Sequence, residues 1–315
     1  PGEVDVAVEL AAVCGSDVHM VSGRRPTPDG TALGHEAVGR VVDVDPGTRD
    51  ALGWPVGVGD RVVFGMVAAC GGCDRCARGL PMKCRELMKY GHATVDTAPH
   101  AVGMLADVVR LTSRVTLLRA PEVPDAALVS VACAVPTAWA AVRALGPAPR
   151  RVAVLGAGAV GCYAVAMLRD EGAEVVVLDP DPARRGAAAE LGGTPVDAIP
   201  ADVEGIVEAA GTADAARAAL TGGDVGTRTV LVGTVSPADA VIDLDPARLV
   251  LERRSVVGVH NYGPDDLVGA VGWLGRRGIH APDLAGEAFP LEAVADAIDA
   301  AGRHGALRVT VRPDG

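Results

Sequence analysis

Four cysteines, Cys70, Cys73, Cys76 and Cys84, stand at the spacing C-x2-C-x2-C-x7-C. Thiolates at this density are suited to closing a tetrahedral site around Zn²⁺. A ferredoxin-type iron–sulfur cluster would continue C-x3-C-P, whereas here the last gap is seven residues and Arg85 follows. Zinc therefore fits better than a cluster or four buried free thiols. A four-cysteine site has no open position and is structural. Of the other three cysteines, Cys14 opens Cys14-Gly15-Ser16-Asp17-Val18-His19, Cys133 ends Val131-Ala132-Cys133, and Cys162 has no assignment. With His35 from Gly34-His35-Glu36, Cys14 and Cys133 offer the Cys/His/Cys set that leaves zinc one position for chemistry. Spacing alone does not group them. A cysteine in an apolar run is more often core than ligand, and His35 by itself could be a satisfied surface histidine.

A second chemistry-bearing stretch is Gly156-Ala157-Gly158-Ala159-Val160-Gly161, a G-x-G-x-x-G run. Alone the motif is weak, because a glycine-rich chain produces it by chance. Here it follows the apolar strand-like run RVAVL, opens a helix-like run, and has Asp179 18 residues after its last glycine. The glycines let the backbone approach a pyrophosphate at a helix N-terminus. Asp179 would accept the adenosine ribose hydroxyls and repel a 2′-phosphate, favouring NAD over NADP. A Rossmann-like domain packed without nucleotide is the alternative. Arg184 and Arg185 could stack on adenine, accommodate NADP or be solvated.

Something must position these groups, and 315 residues suffice for two domains. The net charge of −11 argues against nucleic acid as a partner, and lysine occurs only at Lys83 and Lys89. The most apolar stretch, Ala126 to Val142, is interrupted by Ser130, Pro136 and Thr137 and falls short of the roughly 20 apolar residues of a membrane span. No signal peptide is evident, and an odd cysteine count in metal-type spacing fits a reducing cytoplasm. The chain begins in a strand-like run, Val4 to Leu10, so an upstream strand is expected.

The first ~120 residues read as strand and loop, with strands at Val38–Val44 and Asp60–Val67. Residues 124–144 read as a helix bent or interrupted at Pro136. From Arg151 the pattern becomes β-α-β alternation ending near Val259, the mark of a parallel sheet with helices on both faces. Residues 264–315 read as two helices and a final strand, Leu307 to Val311, returning to the first domain.

Taken in order, Cys14-Gly15-Ser16-Asp17-Val18-His19, Gly34-His35-Glu36-Ala37-Val38-Gly39, Gly59-Asp60-Arg61-Val62, the cysteine lobe and GAGAVG resemble the zinc-dependent alcohol dehydrogenases of the medium-chain dehydrogenase/reductase superfamily. The likeness covers nearly the whole chain. It implies an α/β protein with a GroES-like, mostly-β catalytic domain (1–135, structural zinc lobe at 70–84), a Rossmann doubly wound NAD-binding domain (136–259), and a return to the catalytic domain (260–315). It implies a catalytic zinc on Cys14, His35 and Cys133, and a second zinc on the four-cysteine lobe. Asp17 would orient the imidazole, Glu36 would be a substitute ligand, Ser16 would take the substrate proton and His19 would relay it outward. Thr137 would contact the nicotinamide and Arg308 would hold the pyrophosphate. Gly15 stands where some members have a basic residue. The implied protein is a homodimer or homotetramer acting on a small alcohol, aldehyde or ketone, with no nucleic-acid or membrane partner.

Lys89-Tyr90-Gly91-His92 and Gly258-Val259-His260-Asn261-Tyr262 resemble a branch associated with phosphonate metabolism, in which Lys89 and His92 would offer positive charge to a hydroxyalkylphosphonate or phosphonoacetaldehyde. A solvated loop is the plainer account of both residues. Three other readings stay open: a zinc-free quinone reductase, a polyol, amino-alcohol or aminocyclitol dehydrogenase, and a non-catalytic NAD-binding regulatory protein.

Overall fold

The alternating run near the start of the chain forms β1 (Val4–Val13), whose first six residues alternate between buried and half-buried, the pattern of a strand with one face on a core. The computed structural model describes residues 2–147, 149–234, 241–303, 305 and 307–313. β1 runs into α1 (Gly15–Val21), a helix within the stretch that the sequence pattern assigned to strand and loop. Its start is set by Asp17, whose carboxylate accepts the Cys14 N–H at 2.9 Å, one half of a capping box.

β2 (Ala37–Val44) and β3 (Arg61–Ala68) follow as expected. The cysteine lobe contains the short helix α2 (Asp74–Ala77) and a 3₁₀ turn at Pro81–Lys83. It leads into β4 (Met88–Lys89), β5 (Val108–Leu111) and β6 (Val115–Arg119).

The expected helix over 124–144 is instead three pieces: α3 (Asp125–Leu128), a 3₁₀ turn (Val129–Ala132) and α4 (Ala134–Ala144). The break falls at Cys133, with φ −143° and ψ −74°, and not at Pro136. Pro136 lies in the first turn of α4, where a missing N–H leaves no intrahelical bond unmade. The two helical halves meet at 68°, and among the described residues no single helix is long and apolar enough to cross a membrane.

The β-α-β alternation builds β7 (Arg151–Leu155), α5 (Ala159–Asp170), β8 (Glu174–Leu178), α6 (Pro182–Glu190), β9 (Thr194–Pro195), β10 (Gly205–Glu208), α7 (Ala213–Thr221), β11 (Arg228–Leu231), α8 (Pro246–Leu251) and β12 (Ser255–Gly258). The chain ends with α9 (Pro264–Arg277), β13 (Ala285–Pro290), α10 (Val294–Ala301) and β14 (Arg308–Arg312). β13 is missing from the sequence reading. Its residues are half-buried or exposed throughout, so it has no apolar alternation, yet it pairs parallel with β14.

Two compact units result, one of residues 1–136 and 262–315 and one of residues 137–261. The first is built on an eight-stranded sheet in the order β13-β14-β1-β2-β3-β4, with β5 on β1 and β6 on β3. β1 is its hub, pairing with β14, β2 and β5. Val6, Phe64, Met66, Leu111 and Val311 belong to its core. The second unit is a six-stranded parallel sheet in the order β12-β11-β10-β7-β8-β9, the strand order of a doubly wound dinucleotide-binding fold. Its central strands are near-continuous apolar runs, as strands covered on both faces must be.

Candidate metal centres and dinucleotide turn

The first unit brings Cys14, His35 and Cys133 together, with one donor atom from each within 4.8 Å of the others. Cys14 directly follows β1 as the N-cap of α1, His35 stands two residues before β2, and Cys133 is the break between the 3₁₀ turn and α4. Asp17 ties the first two segments. It is wholly buried. One oxygen accepts the Cys14 N–H, and the other accepts the Gly34 N–H at 3.1 Å and lies 3.4 Å from His35 Nδ1. With Nδ1 turned to a carboxylate, Nε2 is left to face the sulfurs, the arrangement that metal-binding histidines adopt. Gly34 has φ +83°, and a Cβ there would strike the Leu105 backbone, so this approach admits only glycine.

The electrostatics fit a cation. Burial disfavours an imidazolium at His35, but the negative charges of Asp17 and Cys14 outweigh it and raise its pKa. A hydrogen bond from the Cys133 thiol and the nearby His35 charge hold Cys14 well below the usual thiol range, against burial. Two sulfurs and one imidazole converging on one point form a donor set suited to Zn²⁺.

Glu36 lies behind this trio and is fully buried. Its Oε1 accepts the Ala134 N–H at 3.1 Å and an Arg308 N–H at 2.8 Å, while Oε2 is buried with no hydrogen-bond partner among the described residues. Burial pushes the carboxyl up to about 8, and the Arg308 guanidinium opposes that rise. Arg308 is itself buried, with further bonds to Ser130 Oγ at 2.9 Å and the Val13 carbonyl at 3.4 Å. Within its own unit it thus braces the segments carrying all three ligands, a place that the resemblance to a pyrophosphate-binding arginine does not foretell.

Ser16 Oγ stands 3.2 Å from His35 Nε2. His19, three residues on along the same face of α1, is exposed. On the other side the His92 ring packs on His35 with centroids 4.9 Å apart. Burial, helped by the His35 charge, lowers His92 to about 4, so at neutral pH it is uncharged and does not supply the positive charge expected of it. The cation that does approach is Arg25, 3.4 Å from His92 Nε2. It was missed in the sequence, where nothing separates it from the other arginines. Lys89 is half-buried in β4, and burial lowers it to about 8.

The other four cysteines form their own group with donors within 4.8 Å of one another; Cys73 Sγ lies 3.5 Å from Cys76 Sγ and 3.9 Å from Cys84 Sγ. The N–H groups of Cys70 and Glu86 point at Cys84 Sγ at 3.2 and 3.3 Å. Backbone N–H groups, that of Arg85 foremost, hold the Cys73 thiol down to about 6. These donors favour the thiolate at Cys73 and Cys84, whereas burial and the neighbouring thiols push Cys76 up to about 12. Cys162 is a buried thiol in α5, 3.3 Å from the Ala157 carbonyl.

In the second unit the glycine run forms the turn between β7 and α5. Gly156 has φ +92°, a Cβ on Gly161 would collide with the Gly156 carbonyl, and a Cβ on Gly158, the N-cap of α5, would meet nothing within 4 Å. The turn is therefore tight beneath and open above, as backbone contact with a pyrophosphate requires. Asp179 follows β8 and accepts the Ala157 N–H at 2.7 Å and the Asp181 N–H at 2.8 Å. Each carboxylate oxygen retains acceptor capacity for a ribose hydroxyl. Arg184 is half-buried at the start of α6, and Arg185 pairs with Asp197 at 3.1 Å. Thr137 is buried, and its hydroxyl has no hydrogen-bond partner among the described residues.

Residues 1–122 match the family model described as an alcohol dehydrogenase GroES-like domain, and residues 159–276 match the one described as a zinc-binding dehydrogenase. The chain is 34% identical over 274 residues to a probable zinc-binding alcohol dehydrogenase of Mycobacterium tuberculosis, covering 84% of this chain and 63% of that protein. It spans between 45% and 63% of the length of the curated relatives it matches. An alcohol dehydrogenase from Thermotoga maritima superposes with a TM-score of 0.92 at 26% identity, over 99% of this chain and 92% of that one. The alcohol dehydrogenase of Thermus sp. ATN1 gives 0.87 at 26%, over 100% and 93%. The mostly-β unit is thus GroES-like and the parallel-sheet unit Rossmann-like, and the phosphonate-associated branch draws no support from these relatives. With both domain types in their expected order, the chain belongs to the zinc-dependent alcohol dehydrogenases of the medium-chain dehydrogenase/reductase superfamily.

Proposed function

We propose that the protein transfers a hydride between an alcohol, or its aldehyde or ketone, and NAD, with one catalytic and one structural zinc per chain. The observation that carries this is the difference between the two donor groups: Cys14, His35 and Cys133 are three, whereas Cys70, Cys73, Cys76 and Cys84 are four. Three protein donors leave a tetrahedral ion one position for substrate, and four do not. When bound, Zn²⁺ supplies Lewis-acid polarisation of the substrate oxygen, and NAD supplies the hydride acceptor.

The protein's own groups do the rest. Asp17 fixes the His35 ring so that Nε2 serves as donor. Ser16, beside that nitrogen, receives the hydroxyl proton, and exposed His19 hands it to solvent. Glu36, braced by Arg308, is a reserve donor. Gly156, Gly158 and Gly161 shape the pyrophosphate cradle, Asp179 holds the adenosine ribose, Thr137 offers its hydroxyl to the nicotinamide and Arg184 flanks the adenine end. The intact donor set and the Ser16–His35 contact favour turnover over a purely regulatory role and argue against a zinc-free quinone reductase.

Arg25 and Lys89 favour a substrate bearing negative charge, of which a hydroxyalkylphosphonate or phosphonoacetaldehyde is one form. The two are close enough for their charges to repel, and Lys89 also feels the charge on Cys133. An anionic group there would gain charge-assisted hydrogen bonds from exposed Arg25 and half-buried Lys89. A neutral polyol, amino alcohol or aminocyclitol would gain no such charge-assisted bonds.

Elemental analysis of the purified protein should give about two zinc equivalents, with NADH formation at 340 nm on an alcohol panel. Cys133→Ala should give about one equivalent and no turnover, while Cys73→Ser should lower the melting temperature, because structural zinc binding is folding free energy. Zinc content unchanged in Cys133→Ala would sink the catalytic assignment.

Cofactor preference should reside in Asp179. Asp179→Ser is expected to shrink the NAD-over-NADP ratio of kcat/KM by at least tenfold, or about 1.4 kcal/mol. An unmodified enzyme that prefers NADP would place the preference in Arg184 or Arg185 instead.

For substrate charge, the comparison is between an ω-hydroxyalkylphosphonate and a neutral alcohol of equal length. Lys89→Gln and Arg25→Gln should raise KM for the phosphonate about tenfold or more with little change for the neutral alcohol. Equal losses on both, or better wild-type activity on neutral polyols, would leave only the general alcohol dehydrogenase function.

A further inference from the structure

We infer that Tyr262 is a positioning residue for the metal ligand Cys133, its hydroxyl fixing the peptide group that precedes that ligand. Tyr262 is the first residue of the chain segment returning to the first unit, and it is buried. Its phenol donates to the Ala132 carbonyl and accepts the Met66 N–H at 3.3 Å. The hydroxyl therefore joins β3 to the residue before the ligand, from a tyrosine 130 positions beyond that residue.

Cys133 needs such a brace. Its φ of −143° and ψ of −74° belong to neither helix nor strand, and the one backbone bond its own N–H makes is to the Ser130 carbonyl at 3.2 Å, the last of the 3₁₀ turn. The peptide group on its C-terminal side is pinned where Glu36 accepts the Ala134 N–H. The one on its N-terminal side is pinned where Tyr262 donates to the Ala132 carbonyl. With both peptide planes fixed, the Cα–Cβ bond of Cys133 has one direction, toward Cys14 and His35. Phenylalanine would fill the same space and leave the Ala132 carbonyl and the Met66 N–H to find other partners. An asparagine at 261 with φ +57° delivers the tyrosine to this position.

The inference rests on Cys14, His35 and Cys133 holding zinc, and its test reads the metal without using turnover. Zinc release from the holoenzyme to a chromogenic chelator should show two phases, one of which is missing in Cys133→Ala. In Tyr262→Phe that phase should quicken at least tenfold while the four-cysteine phase stays unchanged. The visible bands of a cobalt-substituted catalytic site should also shift. Leu267→Ala is the packing control, because Leu267 is buried and lies with the Tyr262 hydroxyl beside Gly65. It should lower the melting temperature without moving that phase or those bands. If Tyr262→Phe does not fold, trifluorotyrosine at 262 keeps the hydroxyl as a stronger donor, and the phase should slow several-fold. Release and spectrum unchanged in Tyr262→Phe, or changed equally in Leu267→Ala, or release unaltered by trifluorotyrosine, would overturn the positioning role. Two phases in Cys133→Ala would overturn the metal assignment with it, whereas absent turnover with the expected release would overturn only the proposed activity.

Discussion

One buried carboxylate organises the metal site. Asp17 has no exposure to water, and in that setting a carboxylate is costly unless donors surround it. It accepts the Cys14 and Gly34 N–H groups and lies 3.4 Å from the His35 ring, which places two metal ligands at fixed distances from one atom group. The same bonds begin α1, and so set the face on which Ser16 and His19 stand. Because Cys14 directly follows β1, which pairs with three strands of the eight-stranded sheet, the ligand is anchored at the end of a well-held strand. The third ligand needs separate fixing, from Glu36 and Tyr262 on either side of Cys133.

The second unit uses the same device. Asp179 holds the glycine turn by accepting the Ala157 and Asp181 N–H groups. Glu208, fully buried at the end of β10, accepts the Ala210 and Gly211 N–H groups. A Cβ on Gly156 would strike Ala210, so the carboxylate that fixes Ala210 also supports the glycine turn. A chain with net charge −11 thus turns several of its acids inward, where each satisfies loop N–H groups that no helix or strand ladder could reach. Loops that carry chemistry are in this way held nearly as firmly as the strands that present them.

Local signals were legible in the sequence and distant ones were not. The four-cysteine lobe and the G-x-G-x-x-G turn lie within short windows, and β7, β8 and their helices follow from continuous apolar runs and helical periodicity. Cys14, His35 and Cys133 do not announce a common site by spacing; only the resemblance grouped them, and the fold brings their donors together. Pro136 drew the expected helix break because proline is a strong local signal, yet the break belongs to Cys133, whose backbone is bent by bonds from distant residues. α1 was unread because Asp17 caps it and no amphipathic stripe marks it, and β13 because half-exposed residues carry no alternation. Arg25 against His92 and Ser130 against Arg308 are 67 and 178 residues apart, and only the fold joins such pairs.

The account stands or falls on Asp17 as the organiser of one zinc site and not the other. The direct measurement is an equilibrium zinc competition titration of Asp17→Asn against the unmodified protein, with folding followed by circular dichroism. One of two zinc ions should bind 10- to 100-fold more weakly, the loss typical when the group orienting a ligand is removed, and the other should keep its affinity. Two unchanged affinities, or an equal weakening of both, would contradict the account.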